Sequence, residues 1–521
     1  MHINLILGAL LTALLAHLLR ALYAALTSPL RHIPGPPAAR LTRLWYLWRV
    51  RGARFEHDNV ALHRQHGPLV RLAPDHYSLD DPAAVRAVYG FGAGGAFAKS
   101  DWYYGWQHPD PDRWTLFPDR DVRRHAETRR RFQALYSMSG VVAYEPFVDA
   151  CGDLLVRRLG EVAGEGFGGG VVDMAHWFQC YAFDVVACIT YGRRLGFLDR
   201  GEDVDGVIAA LDRTFVYGSL IGIYPRLHPL AFRLSARFSW SGARGRLKIM
   251  EFVQRQIARR RGEREERKRG GKGEGVVGRE GLPEDFLDKM MDQNEENPEK
   301  VTEYHVFMMG LSNVIAGSDT TAASLSAILY YLLKYPRTLT KLKDEISVFT
   351  AQGKLSDRVT FSESQKMPYF QAVMKEALRM HAATGLPLWR VVPEGGAHIS
   401  GQFFPAGSVV GINTWSAHYN RDVFGADADG FRPERWIEAE EAAEAGNKDM
   451  LRRMDAYYMP FGLGSRTCIG RHISTLEMSK IIPRLLREFD FELERPEWKT
   501  ENFWFVKPKD FIVRVRRAGA Q

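Results

Sequence analysis

Cys468 stands in a turn that few folds would build: Phe461-Gly462-Leu463-Gly464-Ser465-Arg466-Thr467-Cys468-Ile469-Gly470, running directly into a helical pattern over Ile469 to Ile482. A helix N-terminus aims free N–H groups and the positive end of the helix dipole at whatever sits there. It therefore lowers a thiol's pKa and favours the thiolate that a metal or an electrophile needs. Glycines on both sides remove side-chain bulk, so a broad, flat ligand can approach the backbone. Arg466, two residues earlier, can pair with a carboxylate on that ligand. A buried cysteine in a glycine turn is the ordinary reading of such a residue taken alone, but it does not account for the ten-residue pattern.

The rest of the chain limits where this chemistry operates. With 521 residues, 45% hydrophobic and 25% charged, it is neither disordered nor a multi-span membrane protein, and it can bury a large core. Four cysteines, Cys151, Cys180, Cys188 and Cys468, without a C-x-x-C pair, point to a body in a reducing compartment rather than a disulfide scaffold or zinc site. The net charge of +8 gathers in Arg255 to Glu280, with ten basic and five acidic residues. That stretch lacks aromatic residues and an apolar stripe after Ile257, so it reads as a solvated helix end running into a loop, and nucleic acid is not an expected partner.

Ile3 to Leu26 carries one charge, Arg20, and as a helix would reach about 36 Å, enough for one membrane crossing. Arg31, Arg40, Arg43, Arg49, Arg51 and Arg54 follow, which by the positive-inside rule keeps the body cytosolic. A cleaved secretory signal is the competing reading. It normally has a basic start, which Met1-His2 lacks, and the body has no N-x-S/T acceptor. The expected organisation is an anchor at 1–26, a basic, proline-containing linker at 27–61 that includes Ile33-Pro34-Gly35-Pro36-Pro37, and one large domain at 62–521. Within it, helices dominate, notably Val301 to Leu333. Short strands are expected at Leu69 to Leu72, at Tyr77 to Leu79 and as a pair within Ala397 to Ile412. Three G-x-G-x-x-G matches, at Gly90, Gly164 and Gly273, lack the strand before and helix after that a dinucleotide site requires.

Three further motifs stand out. Glu376-Ala377-Leu378-Arg379 puts both charges on one helix face. Ala316-Gly317-Ser318-Asp319-Thr320-Thr321 interrupts a long helix with residues that weaken it, and its threonine hydroxyls can bond back to the preceding turn, so a bent local groove is expected. His125-Ala126-Glu127-Thr128-Arg129 by itself is an ordinary basic helix face.

Together these resemble the cytochrome P-450 family of haem-thiolate monooxygenases. The turn matches the family's F-x-x-G-x-R-x-C-x-G at every fixed position, and the other motifs follow E-x-x-R, the acid–alcohol groove and W/H-x-x-x-R in the family's order. The resemblance implies a mainly α fold with small β-sheets, and haem b with Cys468 as the axial thiolate. Phe461, Gly462, Arg466, Gly470, His125, Arg129 and Arg390 would bind the cofactor. Asp319 and Thr320 would supply protons, and Glu376, Arg379 and Arg435 would form a buried ionic cluster under the cysteine loop. A histidine replaces the commoner tryptophan at position 125, and Ala382 stands after His381 where proline is frequent. Electrons would come from NADPH through a separate NADPH-cytochrome reductase, with the chain anchored once in the endoplasmic reticulum membrane.

Aromatic residues Trp102, Tyr103, Tyr104, Trp106, Trp114 and Phe117, with Phe503, Trp504 and Phe505, fall where the family covers its pocket, which suits a bulky, mostly apolar small molecule. The runs from Leu135 to Ser139 and from Gly385 look similar to fungal pisatin-demethylase-like members, implying hydroxylation or oxidative dealkylation in secondary metabolism. Two rival readings are a haem-thiolate isomerase or dehydratase working without reductase, and a non-catalytic haem sensor.

Overall fold

A computed structural model of the chain describes residues 2–90, 97–164, 169–269 and 283–519. Among these residues the architecture is mainly helical with four small sheets. At its centre lies a 32-residue helix, Glu303–Lys334, buried through most of its length. Thr302 starts it with a capping box closed by His305, which moves its first turn two residues past the expected Val301. Val186 of the helix Met174–Tyr191 packs against Gly317, where a Cβ would come within 2.7 Å of the valine methyl. Gly317 is therefore required by close packing. The central helix continues unbroken through Thr320 and Thr321, and Thr320 Oγ1 bonds back to Ala316 C=O at 2.8 Å, the contact to the preceding turn expected of its hydroxyl.

The largest sheet has four strands in the order Leu69–Ala73, His76–Leu79, Val409–Ile412, Arg390–Val391, the middle two parallel. Between Ala397 and Ile412 the chain makes three strands rather than a pair, because Ala397–Ile399 and Gln402–Phe404 close a tight hairpin of their own. A C-terminal hairpin pairs Lys499–Phe503 with Phe505–Lys509, and Trp504 turns it at φ +80°.

Two expectations are corrected here. Residues 44–61, read as linker, form the helices Leu44–Arg51 and most of Phe55–His66, and Tyr46, Val50 and Phe55 are buried in the main core. Tyr46 meets Trp389 edge-on with ring centroids 6.0 Å apart, a partner more than 300 residues away that no local pattern reveals. The charged stretch is not wholly solvated either. Its helix runs Gly242–Lys268, and Arg260 is buried against Asp285 and Asp288 at 2.8 and 2.7 Å. Gly90 and Gly164 lie at the ends of helices, and the rest of the three glycine-rich matches, Gly169 apart, falls outside the described residues. The N-terminal helix His2–Thr27 includes an apolar segment, Leu7–Thr27, long enough to cross a membrane, with no buried residue in its apolar window.

Glu477, on the helix Arg471–Glu488, is fully buried, and neither carboxylate oxygen meets a hydrogen-bond donor among the described residues. Burial pushes this carboxyl well above its ordinary range. A raised folded-state pKa contributes stability below the unfolded value, and that contribution is lost as pH rises toward the folded one. Glu477→Gln is thus expected to match the parent at pH 5 and to unfold at a higher temperature at pH 8. Thermal melts at the two pH values check it, and an equal difference at both would exclude a titrating Glu477.

Candidate functional site

The cysteine turn is held by its own backbone. Cys468 N–H donates to Phe461 C=O at 2.8 Å, and Thr467 N–H to Gly464 C=O at 3.1 Å. Gly464 has φ +62°, and a Cβ there would collide with the Tyr89 carbonyl, so glycine is obligatory. In front of Gly470 a Cβ would meet nothing within 4 Å. Open space therefore lies beside the helix start at Arg471, and Cys468 itself is accessible. Protein packed round the thiol nonetheless desolvates it and pushes its pKa up. Gly470 N–H, Arg129 and Arg471 pull the other way without prevailing. The expected lowering by the helix terminus operates, but desolvation outweighs it. A metal cation at the sulfur would reverse that balance, since coordination deprotonates a thiol.

Across from this turn, Ala316 is exposed and Ile315, Gly317 and Thr320 are half-buried, a window in the middle of a helix that is buried from Thr321 to Leu332. Thr321 Oγ1 and Ser474 Oγ are 2.8 Å apart, joining the central helix to the cysteine helix six residues beyond Cys468. Asp319, next to the window, is buried. Its Oδ1 accepts from Gln179 Nε2 and, at 3.1 Å, from Lys507 Nζ, while Oδ2 has no partner among the described residues.

Beside the turn the structure gathers positive charge. Arg466 donates to Asp119 C=O at 2.8 Å, and Arg390 to Trp389 C=O at 3.0 Å with its guanidinium over the Tyr89 ring. Buried Lys99 donates to Phe117 C=O and sits over the Tyr103 and Phe117 rings. None of Lys99, Arg129, Arg390 or Arg466 forms an ion pair among the described residues, and the nearby Asp119 carboxylate is taken by Arg124 at 2.7 Å. Burial first, then Arg466, Lys99, Arg129 and Arg390, drive His125 down to about 2, so its ring is neutral. Burial and Arg390 lower Arg466 to about 10. Unpaired buried cations are costly unless anions join them. Lys99 escaped the sequence reading because Ala98-Lys99-Ser100 carries no motif, and only the fold sets it beside Arg390.

Glu376, Arg379 and Arg435 come together with no exposure. Glu376 Oε1 accepts from Arg379 Nη2 at 2.8 Å and from Arg435 Nε at 2.9 Å, and Oε2 accepts from Arg379 Nε at 2.9 Å and from Trp436 Nε1 at 3.0 Å. Of the aromatic residues, Trp102, Trp106, Phe117 and Trp504 cluster with ring centroids 5.1 to 6.1 Å apart. Tyr104 and Trp114 instead turn away, to His228 and Tyr304.

A flat macrocycle bearing two carboxylates would supply the anions these cations lack, and a cysteine is available to its metal, as in a haem-thiolate protein. The chain belongs to the cytochrome P450 family, whose model matches residues 34–514, and it is a monooxygenase of that family. It is 37% identical over 512 residues to a pisatin demethylase of Fusarium vanettenii, covering 97% of this chain and 93% of that one. It is 36% identical over 500 residues to the cytochrome P450 monooxygenase cicH of Emericella nidulans, covering 94% of each. With the cytochrome P450 monooxygenase gsfF of Penicillium aethiopicum it shares 33% identity over 535 residues, the full length of both.

Proposed function

We propose that this monooxygenase hydroxylates or oxidatively O-dealkylates a bulky, mostly apolar small molecule in fungal secondary metabolism. The observation that carries the substrate class is the aromatic box of Trp102, Trp106, Phe117 and Trp504, and the likeness to a pisatin demethylase adds dealkylation to it. Haem b, held through Cys468, supplies oxygen activation when bound. Arg129, Arg390, Arg466 and Lys99 would hold its carboxylates, with neutral His125 as a hydrogen-bond donor, and Phe461, Gly462 and Gly470 would form the cradle. Asp319 holds a proton at Oδ2 and Thr320 passes it from Oγ1 across the window at Ala316, while the aromatic box keeps water from the reacting carbon. O-dealkylation is then hydroxylation at the carbon beside the ether oxygen, followed by collapse to a phenol and an aldehyde. Electrons arrive from NADPH through NADPH-cytochrome reductase.

Residues 1–26 anchor the chain once in the endoplasmic reticulum membrane, with the catalytic body cytosolic. Support comes from a second apolar patch on the body, where Leu227, Leu230, Leu234, Phe238 and Trp240 are exposed, Trp240 by 72%. The isomerase and sensor readings leave the Asp319–Thr320 pair without a task.

The test is reconstitution of the full chain with reductase, NADPH and labelled molecular oxygen against methoxylated polycyclic phenols. Label in the product, or aldehyde released with a free phenol, is the expected result. Asp319→Asn and Thr320→Ala should each lower product formation by about 10²-fold, in the range of general acid–base contributions. Conversion that proceeds without NADPH would replace the monooxygenase mechanism with an isomerase one.

A further inference from the structure

The environment of Asp319 contains a group that the proton chemistry above does not use. Lys507 belongs to the C-terminal strand Phe505–Lys509, and its Nζ lies 3.1 Å from Asp319 Oδ1 and 2.6 Å from Asp212 Oδ1. Asp212 is on the helix Val207–Ile221, so one ammonium ties three elements together: that helix, the C-terminal hairpin and the central helix. Side-chain exposure falls in steps from Asp212 at 38% through Lys507 at 15% to Asp319 at 0%. A chain of charge thus leads from solvent to the buried carboxyl. Gln179, from Met174–Tyr191, brings in a fourth element and joins Lys507 on the same oxygen.

The bonding at Asp319 is one-sided. Two donors hold Oδ1 and none holds Oδ2, although both oxygens are buried. An ion pair built only for stability would be expected to satisfy both oxygens, as the five donors around Glu376 do. A carboxyl pinned by one oxygen presents the other in a fixed direction, which is what a group handing over a proton requires. Burial pushes the Asp319 carboxyl up and Asp212 adds to this, while Lys507 and Gln179 pull it down. Lys507 itself is held charged by the two acids against the effect of burial.

We propose that Lys507 is a positioning residue for proton supply: it pins Asp319 through Oδ1, leaves Oδ2 as the proton-handling oxygen, and links that carboxyl through Asp212 to the Val207–Ile221 helix. How closely that helix and the C-terminal hairpin pack over the central helix then decides whether the acid is held ready. Because Phe505 of the same strand meets Phe215 of that helix at 5.0 Å, the packing that positions the acid also closes the aromatic side of the pocket. This inference rests on Asp319 being the proton donor of the proposed function.

The experiment compares the parent with Lys507→Met, Lys507→Arg, Asp212→Asn and Asp319→Asn as haem-loaded, reductase-reconstituted full chains. It follows product and hydrogen peroxide formed per NADPH across pH. A second readout, without turnover, is the infrared carboxylic-acid band of the resting protein in heavy water, assigned by its loss in Asp319→Asn. Lys507→Met should lower product per NADPH by about ten-fold, with the balance appearing as peroxide, and Lys507→Arg should restore most of it. The Asp319 acid band should persist to higher pH in Lys507→Met, which removes a cation, and vanish at lower pH in Asp212→Asn, which removes an anion. The two shifts are opposite in sign and follow from the charges removed, whereas a purely structural bridge would leave the peroxide yield unmoved. Parent-like coupling and band in Lys507→Met, with Asp319→Asn impaired, overturns the inference alone. Parent-like coupling in Asp319→Asn overturns the reading of Asp319 as donor, and the inference with it. Should Lys507→Met fail to fold, the peroxide yield of Asp212→Asn decides, since Asp212 is partly exposed and its loss frees Lys507 from the Val207–Ile221 helix.

Discussion

Cys468→Ala is expected to abolish the long-wavelength Soret band of the reduced, carbon-monoxide-bound protein, and all monooxygenation with it, while the chain stays folded. The folding half follows from the turn's construction. Its closing bonds are backbone to backbone, and its tightest approach is Gly464 against Tyr89, so the bonds that close the loop do not involve the thiol. Removing one accessible sulfur should change stability by no more than about 0.5 kcal/mol. The spectral half follows from ligand chemistry, because a thiolate bound to haem iron would push electron density onto it and favour O–O cleavage. Cys468→His sharpens the test: a nitrogen ligand should keep haem bound, move the band to shorter wavelength and still give no product. A long-wavelength band surviving in Cys468→Ala would move the ligand elsewhere, and Cys151, Cys180 and Cys188 are all buried away from the cysteine turn.

What the sequence made legible was local. The cysteine turn, Glu376 with Arg379 one helical turn on, and Gly317 with Asp319 and Thr320 are each contained in a few consecutive residues, so spacing alone put them on one face or in one turn. The long helix was readable within two residues at its start, because thirty residues of apolar periodicity outweigh the weak formers in its middle. Residues whose role depends on distant partners were not readable. Lys507 meets Asp319 across 188 positions of sequence, Lys99 meets Arg390 only through a bridge between a loop and a two-residue strand, and Arg260 hides in a run that looks like a solvated surface until Asp285 and Asp288 fold over it. The Leu44–Arg51 helix failed for a related reason: three arginines in and around it signal a membrane-proximal linker, while Tyr46 and Val50 face a core that only the folded chain supplies.

Glu376→Gln should be the most destabilising of the changes considered. The carboxylate accepts five hydrogen bonds, from both guanidinium groups, Trp436 Nε1 and the Arg432 N–H, and its loss leaves Arg379 and Arg435 buried, with only the half-exposed Asp427 as counter-charge. Breaking a buried pair from one side costs about 3–5 kcal/mol. Burial alone would raise this carboxyl, but Arg379 and then Arg435 hold it below the ordinary range. Its contribution is therefore complete above the unfolded pKa and disappears as pH falls through the folded one. Thermal unfolding of parent and variant should differ most at pH 7 and converge in acid, and a constant gap would mean that the charge is not what stabilises. The damage should also reach the cysteine. Arg379 C=O accepts from His418 Nδ1 at 3.0 Å, and His418 Nε2 accepts the Met459 N–H at 2.9 Å, two residues before Phe461. Burial and Arg379 hold that imidazole neutral, down to about 3, which keeps Nε2 free to accept. An uncompensated Arg379 pulls on the far end of this short chain, so Glu376→Gln should lose haem on dilution faster than the parent even at temperatures where most of its helix remains.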